Sequence, residues 1–204
     1  MSSTMEQVRS FIAIELPEGL RRELGTLQAR LKSHNPPFVK WADPGGIHLT
    51  LKFLGNIATG KITEITRAIE AAAAGIPPFY LQVKGLGVFP GLKRVQVAWV
   101  GLNGQIDRLS QLYQGIEANL ARLGFARESR PFTPHLTLAR VRDRASAVER
   151  EAFGQIIAST SPDIDYAFEV DALSLMRSQL TREGAIYSPI HPITLRKPWK
   201  TAQY

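Results

Sequence analysis

Four residues, His48-Leu49-Thr50-Leu51, return letter for letter at His135-Leu136-Thr137-Leu138. With only 4 histidines in 204 residues, a random order would place two His-x-Thr triplets in the chain about 2% of the time. In a β-strand, residues i and i+2 project from one face and i+1 and i+3 from the other. Each copy therefore sets an imidazole beside a hydroxyl, backed by two leucines. A fold that buries both leucine pairs has to present both His/Thr pairs on a half-open surface. By the same alternation Lys52 belongs with His48 and Thr50, while Ile47, Leu49, Leu51 and Phe53 line the apolar face.

The rest of the chain frames these two strands. Further strands are expected over residues 10–16, 38–41, 79–89, 95–102, 168–176 and 185–195, with the motif strands over 48–54 and 135–141. Gly55 and Asn56 are read as the break that ends the first motif strand. Helices are expected over 18–33, 61–74, 105–123 and 145–159, where apolar residues recur at helical spacing. Leu20, Leu24, Leu27 and Leu31 form one such stripe, and Leu109, Leu112, Ile116 and Leu120 another. Residues 1–7 and the polar tail after Arg196 read as loose ends. Hairpins mixed with helical crossovers imply an α+β fold rather than a doubly wound parallel sheet. The succession of helix, motif strand, helix and strand pair occurs twice. It predicts two similar lobes that each supply one His-x-Thr strand to a cleft between them, within a single domain spanning residues 1–204.

Composition narrows the chemistry. The chain has no cysteine, which excludes disulfides, thiolate metal sites and cysteine nucleophiles. A formal net charge of +7 favours polyanionic partners, nucleic acid first. No signal-peptide pattern and no membrane-length apolar run is visible, so a cytoplasmic location without membrane attachment is expected. A zinc site built from the histidines finds no Asp or Glu at suitable spacing for a third ligand, and neither metal nor cofactor is expected.

The segments around the motifs carry a resemblance. The run from Trp41 through Pro44, His48 and Thr50 to Gly55 resembles the first signature of the 2H phosphoesterases. Arg130-Pro-Phe-Thr-Pro134-His135-Leu-Thr137-Leu-Ala-Arg140 resembles the second. The closest branch is the RNA 2′,3′-cyclic phosphodiesterases, also called 2′-5′ RNA ligases, and the similarity extends over nearly the whole chain. It implies a bilobal, pseudo-two-fold fold of two antiparallel-sheet lobes with helices outside and a central cleft. It also implies hydrolysis of 2′,3′-cyclic phosphate ends to 2′-phosphates, with reversible, ATP-independent 2′-5′ joining as the same chemistry. The expected partners are RNA with such ends, tRNA fragments among them, and nucleoside cyclic phosphates, handled by a monomer.

Two histidines titrating near neutrality can divide proton transfer, one neutral as base and one charged as acid. His48, His135, Thr50 and Thr137 are therefore the expected catalytic residues, with the threonine hydroxyls donating to the charged phosphoryl oxygens. By resemblance, His48 is the acid and His135 the base. Arg130 is the substrate contact that the signature supports, and Lys52 and Arg140 are further phosphate-binding candidates. Trp41, Phe89 and Phe132 are candidates to stack on a base or to pack. His34 and His191 lack the motif spacing and read as ordinary structural residues. The rival reading is a noncatalytic RNA- or nucleotide-binding module. It leaves the two titrating imidazoles without a purpose.

Overall fold

The structure, a computed structural model, describes residues 6–182 and 184–196. Residues 1–5 of the expected loose start and the expected tail at 197–204 lie outside the described residues. In chain order the elements are β1 (Gln7–Glu15), α1 (Glu18–Lys32), β2 (Val39–Trp41), β3 (His48–Ala58), α2 (Ile62–Ala73), β4 (Phe79–Phe89) and β5 (Val97–Gly104). They continue with α3 (Ile106–Ala121), β6 (His135–Val141), α4 (Ala147–Ser159), β7 (Ala167–Val170), β8 (Ala172–Leu180) and β9 (Ala185–Thr194). The leucine stripes of α1 and α3 are buried, as their spacing predicts. Ser146 and Glu149 close a capping box at the start of α4, which satisfies backbone donors that the first turn leaves free.

All strand pairs are antiparallel, and the sheet runs β7-β4-β5-β6-β3-β1-β8-β9, with β2 added beside β6. The α+β expectation holds. The two motif strands lie side by side at the centre, with three further strands outward on each side of that path. The halves are not consecutive in sequence: β1, β3, β8 and β9 make one, and β4 to β7 the other. Each strand pair that follows a motif strand therefore joins the opposite half. The single strand expected over 168–176 divides at Asp171 for the same reason. β7 pairs with β4 in one half, and β8 pairs with β1 in the other. One residue spans only about 3.5 Å of extended chain. Strands near opposite ends of the sheet can be joined by Asp171 alone only if the sheet curls back on itself.

The two halves touch along the middle through very little. β3 pairs with β6 only where Leu49 faces Leu136, and β6 then leaves β3 to pair with β2 from Ala139 to Val141. The carbonyl of Leu138 accepts hydrogen bonds from the Ala42 amide at 2.9 Å and from the Gln28 side chain at 2.8 Å. Gln28, fully buried on α1, also donates to Ala42 O at 2.8 Å. Helix α1 thereby fixes the point at which the second motif strand changes partners.

Both motif strands carry a β-bulge at the last residue of the motif. Along β1, Ala13 pairs with Thr50 and Ile12 with Lys52, so Leu51 has no partner across the pair. Along β5, Trp99 pairs with Thr137 and Ala98 with Ala139, so Leu138 has none. An extra residue reverses the alternation beyond it. This corrects the expectations for two residues. Lys52 turns inward, where its ammonium meets Glu117 Oε1 at 2.6 Å and Ala126 O at 2.8 Å, so it does not share the face of His48. Phe53 turns outward and is 68% exposed instead of entering the core. Arg140, two residues beyond the bulge in β6 as Phe53 is in β3, turns outward in the same way. Nor does Gly55 end the strand: it takes φ +71°, a conformation open to glycine, and β3 continues to Ala58.

The Lys52–Glu117 pair is buried on both sides, and Glu117 Oε2 accepts the Glu128 amide at 3.0 Å. The pair thus ties the first motif strand to the loop that leads into the second. Lys52→Met strands a carboxylate in the interior and should lower stability by about 3–5 kcal/mol. Lys52→Met/Glu117→Leu should recover much of that loss. Urea unfolding measures both, and wild-type stability of the single variant would contradict the ion pair's role.

Candidate active site

A cavity of about 740 Å³ opens over the junction of β3 and β6, and His48, Thr50, His135 and Thr137 all line it. The register follows from the leucines. With Leu49 opposite Leu136 on antiparallel strands, His48 lies beside Thr137 and Thr50 beside His135. The two histidines occupy the diagonal, a separation on the order of 7–8 Å. The four side chains form a pseudo-two-fold set around the buried leucine pair. Neither motif is complete by itself, because each imidazole has the other motif's threonine as its cross-strand neighbour.

Each imidazole is locked by its own approach segment. Asp43-Pro44-Gly45-Gly46 forms a tight 3₁₀ turn, with Asp43 accepting the Gly45 amide at 3.3 Å. The turn delivers the Gly46 carbonyl to His48 Nδ1 at 2.8 Å. In the other half Pro134 holds Thr133 extended, and the Thr133 carbonyl lies 2.7 Å from His135 Nδ1. Phe132 anchors that segment by stacking on Tyr113 at 4.1 Å, so it packs and is not a base platform. A carbonyl oxygen can only accept, so both Nδ1 atoms carry hydrogen and both Nε2 atoms are the bases in the neutral rings.

Aromatic walls surround the two rings. Phe11 stacks on His48 at 4.7 Å and Tyr187 meets its edge at 4.9 Å. Phe89 and Trp99 flank His135 at 5.0 and 6.0 Å. The indole of Trp99 lies across Gly87, where a Cβ would overlap its ring carbons. Burial lowers the pKa of both histidines below the ordinary value. The carbonyl hydrogen bonds oppose that shift, while Arg21 adds to it at His48 and Arg140 at His135.

The remaining expected contacts divide. Arg140 lines the cavity, together with Lys40, Trp41 and Arg9. Arg130 does not: it lies exposed on the surface, held by Glu128 through Nε at 3.2 Å and Nη2 at 3.3 Å. Lys52 is absent from the lining for the reason given by the bulge. His34 stands outside the cavity, and His191 pairs with Glu70 at 3.4 Å. Phe11, Phe53 and Tyr187 enter the site without having been singled out as site residues. Their approach depends on pairings between distant strands and on two bulges, which no local pattern announces. Among the described residues, no three His, Cys, Asp or Glu side chains gather as metal ligands, and no helix is long and apolar enough to cross a membrane.

A curled antiparallel sheet that offers one His-x-Thr strand from each half defines a 2H phosphoesterase. Residues 13–182 match the 2′-5′ RNA ligase superfamily, and the chain belongs to that family. It is 32% identical over 189 residues to a protein of Methanothermobacter thermautotrophicus named RNA 2′,3′-cyclic phosphodiesterase, covering 93% of this chain and 100% of the relative. A Thermotoga maritima protein of the same name is 32% identical over 184 residues, or 90% of this chain and 94% of the relative. Among solved structures, TT0787 of Thermus thermophilus superposes with a TM-score of 0.75 at 26% identity, covering 92% of this chain and 98% of its own. Escherichia coli LigT complexed with 3′-AMP gives a TM-score of 0.74 at 26% identity, with 93% and 99% covered.

The lowered histidine pKa values make stability depend on pH in a defined direction. Above about pH 6.5 the imidazoles are largely neutral whether the chain is folded or not. As the pH falls below that, the unfolded chain takes up protons first, and stability declines until the pH passes the lower folded values. Urea unfolding at about pH 7.5 and about pH 5 should show this decline, and His48→Asn/His135→Asn should lose part of it. An identical decline in the variant would contradict the burial of the two rings.

Proposed function

We propose that this chain is an RNA 2′,3′-cyclic phosphodiesterase that opens terminal cyclic phosphates to 2′-phosphates. The observation that carries the reading is the pair of carbonyl-locked imidazoles whose Nε2 atoms serve one cavity from two strands. Hydrolysis of the ring forms a bond from water oxygen to phosphorus and breaks the bond from phosphorus to O3′. The attacking water loses a proton and O3′ gains one, so one neutral and one charged imidazole on opposite sides of phosphorus suffice. His135 is assigned as the base and His48 as the acid, following the family resemblance. The anionic substrate favours the protonated form of a nearby histidine, which supplies the acid that burial disfavours in the free protein. Thr50 and Thr137 donate to the phosphoryl oxygens as charge grows there. Arg140 and Lys40, on the rim, neutralise the phosphate, and Phe53 offers an exposed ring to the terminal base.

With a 5′-hydroxyl attacking in place of water, the same step joins a 2′,3′-cyclic end to it as a 2′-5′ bond: the 5′ oxygen bonds to phosphorus, O3′ leaves and takes up the proton, and no ATP is needed. The whole chain acts as one bilobal catalytic unit, a cytoplasmic monomer whose substrates include RNA ends such as those of tRNA fragments. A noncatalytic RNA-binding module on the same fold would not need two locked, titrating rings, and turnover of a nucleoside 2′,3′-cyclic phosphate separates the two readings.

His48→Ala or His135→Ala should lower that turnover about 10²–10⁴-fold with folding intact. Thr50→Ala or Thr137→Ala should cost about ten- to a thousandfold. Wild-type rates for His135→Ala would remove the proposed site. All proton transfer and charge stabilisation is assigned to side chains, so activity should survive exhaustive EDTA treatment. Loss on chelation with recovery on adding zinc or manganese would move the chemistry to a bound metal. A substrate with sulfur in place of O3′ has a leaving group that needs little protonation, so it should rescue His48→Ala and not His135→Ala. Rescue of His135→Ala alone would exchange the two roles.

A further inference from the structure

A second depression, of about 430 Å³, adjoins the catalytic cavity and is lined by Lys40, Arg140, Val141, Arg142, Asp143 and Arg144. Lys40 and Arg140 line both, so the two spaces lie on either side of the same pair of side chains. Four cations face one anion there, and among the described residues none of the four cations forms an ion pair. Lys40 and Arg140 also stand directly opposite each other on β2 and β6. Like charges in that position are unfavourable.

The surface is held in shape. The Arg142 amide donates to Phe38 O at 2.8 Å, and the Arg144 guanidinium lies 4.8 Å from the centre of the Phe38 ring. Arg150 braces the turn from beneath, donating to Val95 O at 2.9 Å, Arg142 O at 3.0 Å, Ala145 O at 3.2 Å and Asp143 O at 3.3 Å. Arg142 and Arg144 are thus presented from a fixed backbone.

The proposed reaction dictates a direction. An RNA whose reacting group is its 3′-terminal cyclic phosphate can continue only toward its 5′ side. The next phosphate hangs from the 5′ oxygen of the same nucleoside and has to leave the cavity through an opening that accepts anions. We infer, resting on the function proposed above, that the depression formed by Lys40, Arg140, Arg142 and Arg144 is this exit. It binds the backbone phosphates immediately 5′ of the reacting nucleotide, with Arg142 and Arg144 extending the Lys40 and Arg140 rim along the strand. Arginine forks suit this purpose, since they pair two donors with one phosphate. Phosphate contacts of this kind are indifferent to sequence.

The test uses the full chain and a short single-stranded RNA ending in a 2′-phosphate, labelled at its 5′ end. Affinity is measured against salt concentration for wild type, for Arg142→Gln/Arg144→Gln, and for Arg67→Gln/Arg122→Gln. The last pair removes the same charge from positions outside both depressions. Losing two phosphate contacts should flatten the plot of log affinity against log salt by about 1–1.5 for the Arg142/Arg144 pair, with much less change for the Arg67/Arg122 pair. A wild-type slope in the Arg142/Arg144 variant, or an equal change in the control, overturns the exit. Wild-type hydrolysis of a nucleoside 2′,3′-cyclic phosphate is followed alongside. Hydrolysis with an unaltered slope sinks the exit and keeps the function, whereas a flattened slope without hydrolysis keeps the RNA path and sinks the function.

Discussion

Leu49 and Leu136 face each other across β3 and β6 and are almost fully buried, and the geometry of the site depends on that contact. Side chains alternate across a sheet, so burying these two leucines brings His48, Thr50, His135 and Thr137 out on the opposite face. A one-residue slip would expose Leu49, Leu51, Leu136 and Leu138 and drive both imidazoles into the core. Burying one such leucine is worth about 1.5–3 kcal/mol, and unpaired buried polar groups add a further cost. The apolar half of each motif thus sets the register of the polar half.

The electrostatics rest on the two backbone carbonyls that precede the motifs. Gly46 and Thr133 each take the Nδ1 hydrogen of the histidine two residues on. This settles the tautomer of the neutral ring, restrains it, and leaves Nε2 as the basic nitrogen at both positions. The two turns that do so are built differently, one from Asp-Pro-Gly-Gly and the other from a Thr-Pro pair. They arrive at the same hydrogen bond. Burial among aromatic rings then disfavours the charged form of both imidazoles, a shift that an anion brought beside either ring would oppose.

Much of this was legible in the chain because its signals are local. The leucine stripes announced α1 and α3, and the duplicated motif announced two equivalent strands facing one cleft. What the sequence did not reveal came from pairings between distant segments. The bulges at Leu51 and Leu138 arise from how β1 and β5 pair with the motif strands, and strict alternation therefore misplaced Lys52 and Phe53. The exchange of strand pairs between halves was hidden in the one-residue link at Asp171. Arg130 carried the signature of a substrate contact, yet Glu128, two residues earlier, holds its guanidinium at the surface. Phe11 and Tyr187 reach His48 from β1 and β9, elements far apart in the chain.

The two motifs are held to act on one phosphate from opposite sides. A crystal structure of the protein with a nucleoside 2′-phosphate bound tests this most directly. The phosphate should lie over the Leu49–Leu136 pair, with both Nε2 atoms about 2.6–3.2 Å from phosphate or ribose oxygens on opposite sides. A phosphate held by one histidine alone, or bound elsewhere with both rings unengaged, would contradict it.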